Sequence, residues 1–353
     1  MRILHAPANV GGHPIGLSKA ERELGLESEV VIFEPDPFAF EVDRSLARPG
    51  IAPWRTAPAR LRFLAEALRR YDVFHFNFGS ALFPVWTLPI AFDELPLLRR
   101  LGKTVIATFQ GDDARPPEYS QEPYSPELMP TLQRRRANAR ARMLRYAHRV
   151  FYLNPDLGRW LPGAAFCPYA SFDPREVEPI PPRQDGELTV VHAPSHRAVK
   201  GTEAVVAVMD ALRARGAPLR LDLVEGVTRA EALARCARAD IAIDQLRVGW
   251  YGGFALEAMA LGKPVLCYIN EESPFGEELP IVATAAETLE RDLVALLESR
   301  GRLAEIGAAS RSFVERHHDP RNVARLVLEG LVPLPERPGT GDSLSGSCLA
   351  GGD

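Results

Sequence analysis

Two short stretches concentrate residue types that handle phosphate and ribose. In HAPSHRAVKGTE, residues 192–203, an apolar run leads into a loop with Arg197 and Lys200, and a helix is expected to begin near Gly201. Paired cations at such a place can stabilise negative charge that grows in a transition state, where electrostatics helps most, or can simply be two solvated loop cations. In ADIAIDQLRVGWYGGFALEAMALGKPVLCYI, residues 239–269, a strand ends in a loop with Gly249, Gly252 and Gly253. A helix then opens at Phe254 and carries Glu257 in about its first turn. Glycines let the backbone approach a ligand closely, and the free N–H groups of a helix start attract phosphate. A carboxylate just inside that helix can accept two hydrogen bonds from a ribose diol, or merely complement the helix dipole.

Residues of this kind need strands to aim them, and the chain alternates strands with helices throughout. In the first half, apolar or β-branched runs at Met1–Ala6, Glu29–Phe33, Asp72–Phe78, Thr104–Phe109 and Val150–Leu153 read as strands. Between them Leu17–Leu24, Ala59–Arg70, Leu95–Leu101 and Leu132–Ala147 have helical spacing. Such interleaving predicts a parallel sheet covered on both faces. Residues 173–187 hold four prolines and mark a linker. The alternation then restarts with strands at Leu188–Ala193, Leu219–Glu225, Ile241–Asp244 and Pro264–Ile269. Its helices are Gly201–Arg215, Arg229–Cys236, Phe254–Leu261 and Ala285–Ser299. The expected organisation is therefore α/β: a doubly wound domain over 1–172, the linker, and a second such domain over 188–320. A last helix over 321–332 is placed to cross back to the first domain, and 333–353 reads as a disordered tail.

Composition bounds the rest. At 353 residues, 46% hydrophobic and 25% charged, the chain is of globular type and long enough for two cores. Four scattered cysteines without a CxxC pair leave no disulfide framework and no zinc cage. The start lacks a signal-peptide pattern, and the longest charge-free stretch, Val73–Phe92, is broken by His75, Asn77, Pro84 and Pro89. A cytoplasmic protein is expected. Residues 1–170 carry 22 Lys and Arg against 18 Asp and Glu, whereas 171–353 carry 20 against 28. Only four basic residues are lysines (Lys19, Lys103, Lys200 and Lys263), a bias compatible with a high-GC bacterial genome.

The segment Glu257-Ala-Met-Ala-Leu-Gly-Lys-Pro-Val265 resembles the nucleotide-binding signature of GT-B-fold glycosyltransferases, especially family 4. That signature has two glutamates with seven residues between them. The position of the first holds Gly249 here. The resemblance spans about residues 1–331. It implies two Rossmann-like domains facing each other across a cleft, with a nucleotide-diphosphate sugar as donor, retention of anomeric configuration and no metal. It further implies that Glu257 meets the donor ribose, that Arg197 and Lys200 hold the pyrophosphate, and that Gly252, Gly253 and Phe254 line the nucleotide. The Lys200-Gly201 pair matches the family, while Arg197 stands three residues before the lysine rather than five.

On the same resemblance the loop NVGGHPIG, residues 9–16, supplies Gly11 and Gly12 to the donor phosphates. It is not GxGxxG, so a nicotinamide fingerprint is weak. His13 could reach the same ligand or lie on the surface. FHFNFG contributes His75 and Asn77, and ATFQGDDAR contributes Gln110, Asp112, Asp113 and Arg115. Polar residues at the carboxyl ends of strands lie where an acceptor would enter. Gln110 stands where the family usually shows histidine; it can hydrogen-bond a sugar but carries no proton at neutral pH. Asp112 or Asp113 would orient or deprotonate an acceptor, or else cap a helix. Asp-Asp is not the Asp-x-Asp metal motif of the other large transferase fold, so no metal is expected. No cofactor is implied beyond the donor substrate, and the acceptor stays open among glycan, lipid and natural product.

Residues 131–150 carry seven arginines and no acid. The stretch Arg134–Arg149 on a helix could touch anionic lipid headgroups, making the protein membrane-peripheral, or form a solvated face. Nucleic acid is not expected, because reading aromatics and DNA motifs are missing. The apolar run with Phe83, Trp86 and Phe92 reads as sheet core or as an acceptor patch. Two rivals stay open beside a transferase: a non-catalytic nucleotide-sugar binder and a sugar-nucleotide epimerase of the same architecture.

Overall fold

The computed structural model describes residues 1–34, 40–48, 50–51, 53–83, 93–120 and 124–334. Trp86, Phe92 and most of the expected tail fall outside these. Two units form: residues 1–171 together with the chain's end from Pro320, and residues 172–319.

The first unit begins with β1 (Arg2–Ala6), α1 (His13–Glu23), β2 (Glu27–Ile32), β3 (Arg44–Ser45), α2 (Ala57–Arg70) and β4 (Val73–Asn77). It continues through α3 (Glu94–Arg100), β5 (Thr104–Phe109), α4 (Met129–Tyr146), β6 (Arg149–Tyr152) and β7 (Ala165–Phe166). Its strands pair in the order β3-β2-β1-β4-β5-β6-β7, every pairing parallel. Side chains alternate across the sheet as a pleat requires. Leu4, Phe74 and Phe76 enter one core with Phe63, Leu95 and Leu98. Ile3 and Val73 face the opposite core with Leu17, Ala20 and Leu24.

The second unit contains β8 (Leu188–His192), α5 (Arg197–Lys200), α6 (Thr202–Ala214), β9 (Leu219–Leu223), α7 (Arg229–Arg238) and β10 (Ile241–Ile243). It ends with α8 (Gly253–Ala260), β11 (Val265–Cys267), β12 (Val282–Ala283), α9 (Leu289–Glu298) and α10 (Gly301–His317). The strand order is β12-β11-β10-β8-β9, again parallel throughout. The proline-rich stretch lies along this unit. Ile180 N–H donates to the Leu261 carbonyl, Lys263 Nζ donates to the Ile180 carbonyl, and Arg183 clasps Asp240. The last helix, α11 (Pro320–Leu328), counts with the first unit. Its Val323, Ala324, Val327 and Leu328 complete the core formed by Leu17 and Ala20 of α1 with Leu24 just beyond it.

Three helices depart from the sequence expectation: α5 stands where a loop was expected, and α1 and α10 carry a glycine inside. A loop was expected through Gly16, yet α1 starts at His13. Pro14 suits a first turn, where no N–H is needed. Gly16 sits inside the helix because a Cβ there would fall 1.7 Å from the Ala170 carbonyl oxygen. The seventeen residues of α10 were not foreseen at all. A Cβ at its Gly307 would lie 2.1 Å from the Gly262 carbonyl oxygen. In both places a missing side chain permits two backbones to touch, and tertiary packing outweighs helix propensity.

Candidate functional site

In an open parallel sheet, ligands gather beyond the carboxyl ends of strands, where neighbouring strands lead off in opposite directions. In the second unit that point lies between β8 and β10: β8 continues to β9 on one side, β10 to β11 on the other. The segments following these strands carry Arg197, Lys200, Arg229, Asp244, Gly252 and Glu257.

Lys200 ends the short α5, and its Nζ lies 2.8 Å from Asp244 Oδ1. Asp244 follows β10, its side chain is fully buried, and its second oxygen accepts the Gly252 N–H at 2.7 Å. Gly252 caps α8. A Cβ on it would stand 3.2 Å from Lys200 Nζ and 3.3 Å from Asp244 Oδ2, so this glycine makes room for the pair. Arg197 behaves differently. It reaches outward to Glu203 and Glu225 at 2.9 and 2.7 Å, with 42% of its side chain exposed.

Glu257 sits one turn into α8, buried, and accepts a 2.6 Å hydrogen bond from Arg229 Nε. Burial pushes its carboxyl above the ordinary range; Arg229 pulls it down, and nearby Asp244 pushes it up slightly. Arg229 opens α7 and also rests over the Phe172 ring, 5.4 Å from its centroid. Glu257 and Lys200 are thus placed around the start of one helix. Gly253, at the first position of that helix, has nothing within 4 Å of a built Cβ. The Gly249 backbone carbonyl accepts the Asn270 N–H at 3.0 Å, and a Cβ there would press on the Asn270 side chain at 3.3 Å. Next to it Trp250 and Tyr251 are buried, and Tyr251 Oη meets His318 Nε2 at 2.8 Å.

The first unit has its own divergence point, between β1 and β4. Gly11 and Gly12 follow β1 with φ of 62° and 73°, left-handed values that glycine adopts freely. His13 is buried, and its Nδ1 accepts the Ala170 N–H at 3.0 Å, which places the proton of the neutral ring on Nε2. His75 lies wholly inside β4, its Nε2 at 2.7 Å from Thr108 Oγ1 and its ring 4.8 Å from that of His5. Desolvation, with His5 and His13 nearby, holds it well below the usual histidine range, so it is neutral. His5 in turn meets buried Glu21 at 2.8 Å. This chain of polar groups is internal to the unit.

At the end of β5, Asp113 accepts the backbone N–H groups of Gln110 and Gly111 at 3.0 and 2.6 Å. Burial raises its carboxyl to about 6. Asp112 pairs with Arg115, whose guanidinium also grips Asp156 through two nitrogens. Both aspartates therefore shape the loop that Gln110 begins. The Gln110 side-chain Nε2 is buried with no hydrogen-bond partner among the described residues. Phe78, just past β4, has φ of 58°, a strained value for a side-chain-bearing residue at a strand end, and was not singled out by its sequence.

The arginine-rich α4 is less free than its composition suggests. Arg136 donates to the Arg115 carbonyl and to Tyr124 Oη, Arg140 to the Ala114 carbonyl, and Arg142 clamps Asp93. Three of its cations hold the first unit together, while Arg134 and Arg145 remain exposed. Among the described residues no helix is long and apolar enough to cross a membrane, and no cluster of three metal-ligating side chains occurs.

This architecture is shared with solved glycosyltransferase structures. The chain is similar to sucrose-phosphate synthase from Thermosynechococcus elongatus, with a TM-score of 0.63 and 16% identity, covering 92% of this chain and 96% of that one. It is similar to Anabaena HepE, solved with UDP-glucose, at a TM-score of 0.62 and 15% identity over 94% and 99% of the two chains. WaaG, a glycosyltransferase of lipopolysaccharide biosynthesis, gives 0.57 and 13% identity over 94% and 100%. No protein-family model and no curated protein matches the sequence. At these identities the likeness establishes the fold, which is of the GT-B type: two α/β units, each built on a parallel sheet.

Proposed function

We propose that the protein transfers a sugar from a nucleoside-diphosphate sugar to an acceptor, with retention at the anomeric carbon and without a metal ion. One observation carries the reading: a buried carboxylate and a fixed ammonium flank the start of a single helix at the divergence point of the second unit's sheet. Glu257 accepts the ribose hydroxyls. Lys200, with the first N–H groups of α8, takes the diphosphate and stabilises it as the sugar–oxygen bond breaks. Arg197 joins them by leaving Glu203 and Glu225, both exposed enough to release it. HepE is a protein of this fold that was solved with UDP-glucose, which supports a nucleotide-sugar donor.

In the first unit, Gln110 offers its unsatisfied amide to a sugar hydroxyl, since a buried donor without a partner points to a missing ligand or water. Asp112 and Asp113 act by holding that loop. Gly11, Gly12 and His13 form the turn after β1, where exposed Gly11 leaves its backbone open to a phosphate while Gly12 and His13 are buried behind it. His75, buried and neutral, supports the sheet beneath.

Transfer is tested by incubating the protein with sugar nucleotides of whichever base binds and measuring sugar release, first in water and then with glycan and lipid acceptors. Slow release that acceptors accelerate is expected. Tight binding with no release under any acceptor would leave a nucleotide-sugar binder instead, and conversion of the donor without an acceptor would indicate an epimerase.

A further inference from the structure

Resting on the nucleotide-binding reading of the second unit, we infer that Asp244 is a positioning residue that locks Lys200 and the Gly252 backbone into one receptor for the diphosphate. Three separate parts of the chain meet at its carboxylate. It follows β10, Lys200 comes from α5 beyond β8, and Gly252 opens α8. The side chain is fully buried and uses both oxygens, Oδ1 on the ammonium at 2.8 Å and Oδ2 on the Gly252 N–H at 2.7 Å. The backbone is tied in as well, since Leu246 N–H donates to the Lys200 carbonyl at 3.1 Å.

The chemistry follows from the donor count. An ammonium has three N–H donors, so one spent on Asp244 leaves two for ligand oxygens. A flexible lysine ordinarily loses rotamer freedom when it binds; here that ordering precedes the ligand, which favours affinity. The neighbouring cation shows the contrast. Arg197 is paired only with exposed carboxylates, Glu203 being 77% exposed, so it is free to change partners, whereas Lys200 is 14% exposed and fixed. Only a carboxylate satisfies this position. Both partners are donors, and an asparagine would accept from one while turning its NH₂ group on the other.

The test is calorimetric titration of the full chain with a nucleoside and with its diphosphate, the base being whichever binds most tightly. The ratio of the two affinities isolates the diphosphate contribution, which a general structural loss would not change selectively. Asp244→Asn should lower that ratio about tenfold or more, the size expected for a lost hydrogen bond to a charged group, with nucleoside affinity unchanged. Lys200→Gln should do the same, and the double variant should lose less than the product of the two single losses, because part of Asp244's action passes through the lysine. Gly252→Ala keeps every charge and pushes the pair with its Cβ, so it should also lower the ratio and serves if Asp244→Asn fails to fold. An unchanged ratio in Asp244→Asn or Gly252→Ala, or losses that multiply in the double variant, would overturn the inference alone. Absence of any binding by the unaltered chain would overturn the nucleotide reading, and this inference with it.

Discussion

The four lysines of this arginine-rich chain show how much a residue's surroundings decide. Lys103 and Lys263 donate to the backbone carbonyls of Tyr71 and Ile180 and act as struts, and Lys19 meets Glu41 near the surface. Lys200 is held by a buried carboxylate at the sheet's divergence point. Motif and spacing made Lys200 and Glu257 legible in the sequence. Their partners were not legible, because Asp244 lies 44 positions from Lys200 and Arg229 lies 28 from Glu257. Nothing local marks such a pairing; it exists only once parallel strands bring their ends together. A prediction belongs here. Burial raises Glu257, and ribose binding needs it ionised, so nucleoside affinity should fall as pH drops through that raised value. Arg229→Gln removes the neighbouring cation and should move the fall to higher pH, while Glu257→Gln should weaken binding and flatten the profile. Titrations across pH check this, and identical profiles in all three proteins would remove Glu257 from the ribose.

At the level of elements, most strands were visible as apolar runs ending in polar or glycine-rich loops, and Thr104–Phe109 coincides with β5. What the sequence concealed were helices with glycine inside, α1 and α10, because the reason for each glycine lies on a distant backbone. Gly16→Ala should therefore destabilise the first unit by about 2 kcal/mol or more, the overpacking cost exceeding the gain of up to about 1 kcal/mol in helix propensity. Gly301→Ala, at an open position on α10, should be neutral or stabilising within about 1 kcal/mol. Thermal melts of both variants separate close packing from propensity. The start of α3 gives a pH prediction. Glu94 is buried, accepts the Phe83 N–H at 2.9 Å, and is raised to about 7 by desolvation. Between the ordinary glutamate range and pH 7 the unfolded chain loses its proton while the folded chain keeps it. Stability should thus decline over that window by about 3 kcal/mol at most, and level off above it. Glu94→Gln should remove the part of the decline that lies closest to pH 7, leaving the smaller part at lower pH that the raised Asp113 contributes, as denaturant titrations at a series of pH values would show.

For the whole chain, alternation of strand and helix was enough to foresee two parallel-sheet units, because a sheet covered on both faces needs apolar runs separated by amphipathic helices. The amphipathic last helix, α11, completes the first unit's core against α1, so the chain that leaves that unit near Ser171 returns to it at Pro320. Less legible was the arginine-rich α4, where composition suggested either contact with an anionic lipid surface or a solvated face, while Arg136, Arg140 and Arg142 turn inward onto carbonyls and Asp93. Charge counts carry no direction; side-chain partners do. The central claim is that the second unit binds a nucleoside diphosphate through Glu257 and Lys200. It is tested most directly by calorimetric titration with UDP, GDP, ADP and dTDP on the unaltered chain and on Glu257→Gln. One base should bind clearly more tightly than the others, and Glu257→Gln should weaken that binding about tenfold. Binding of none of the four, or binding that Glu257→Gln leaves unchanged, would contradict the account.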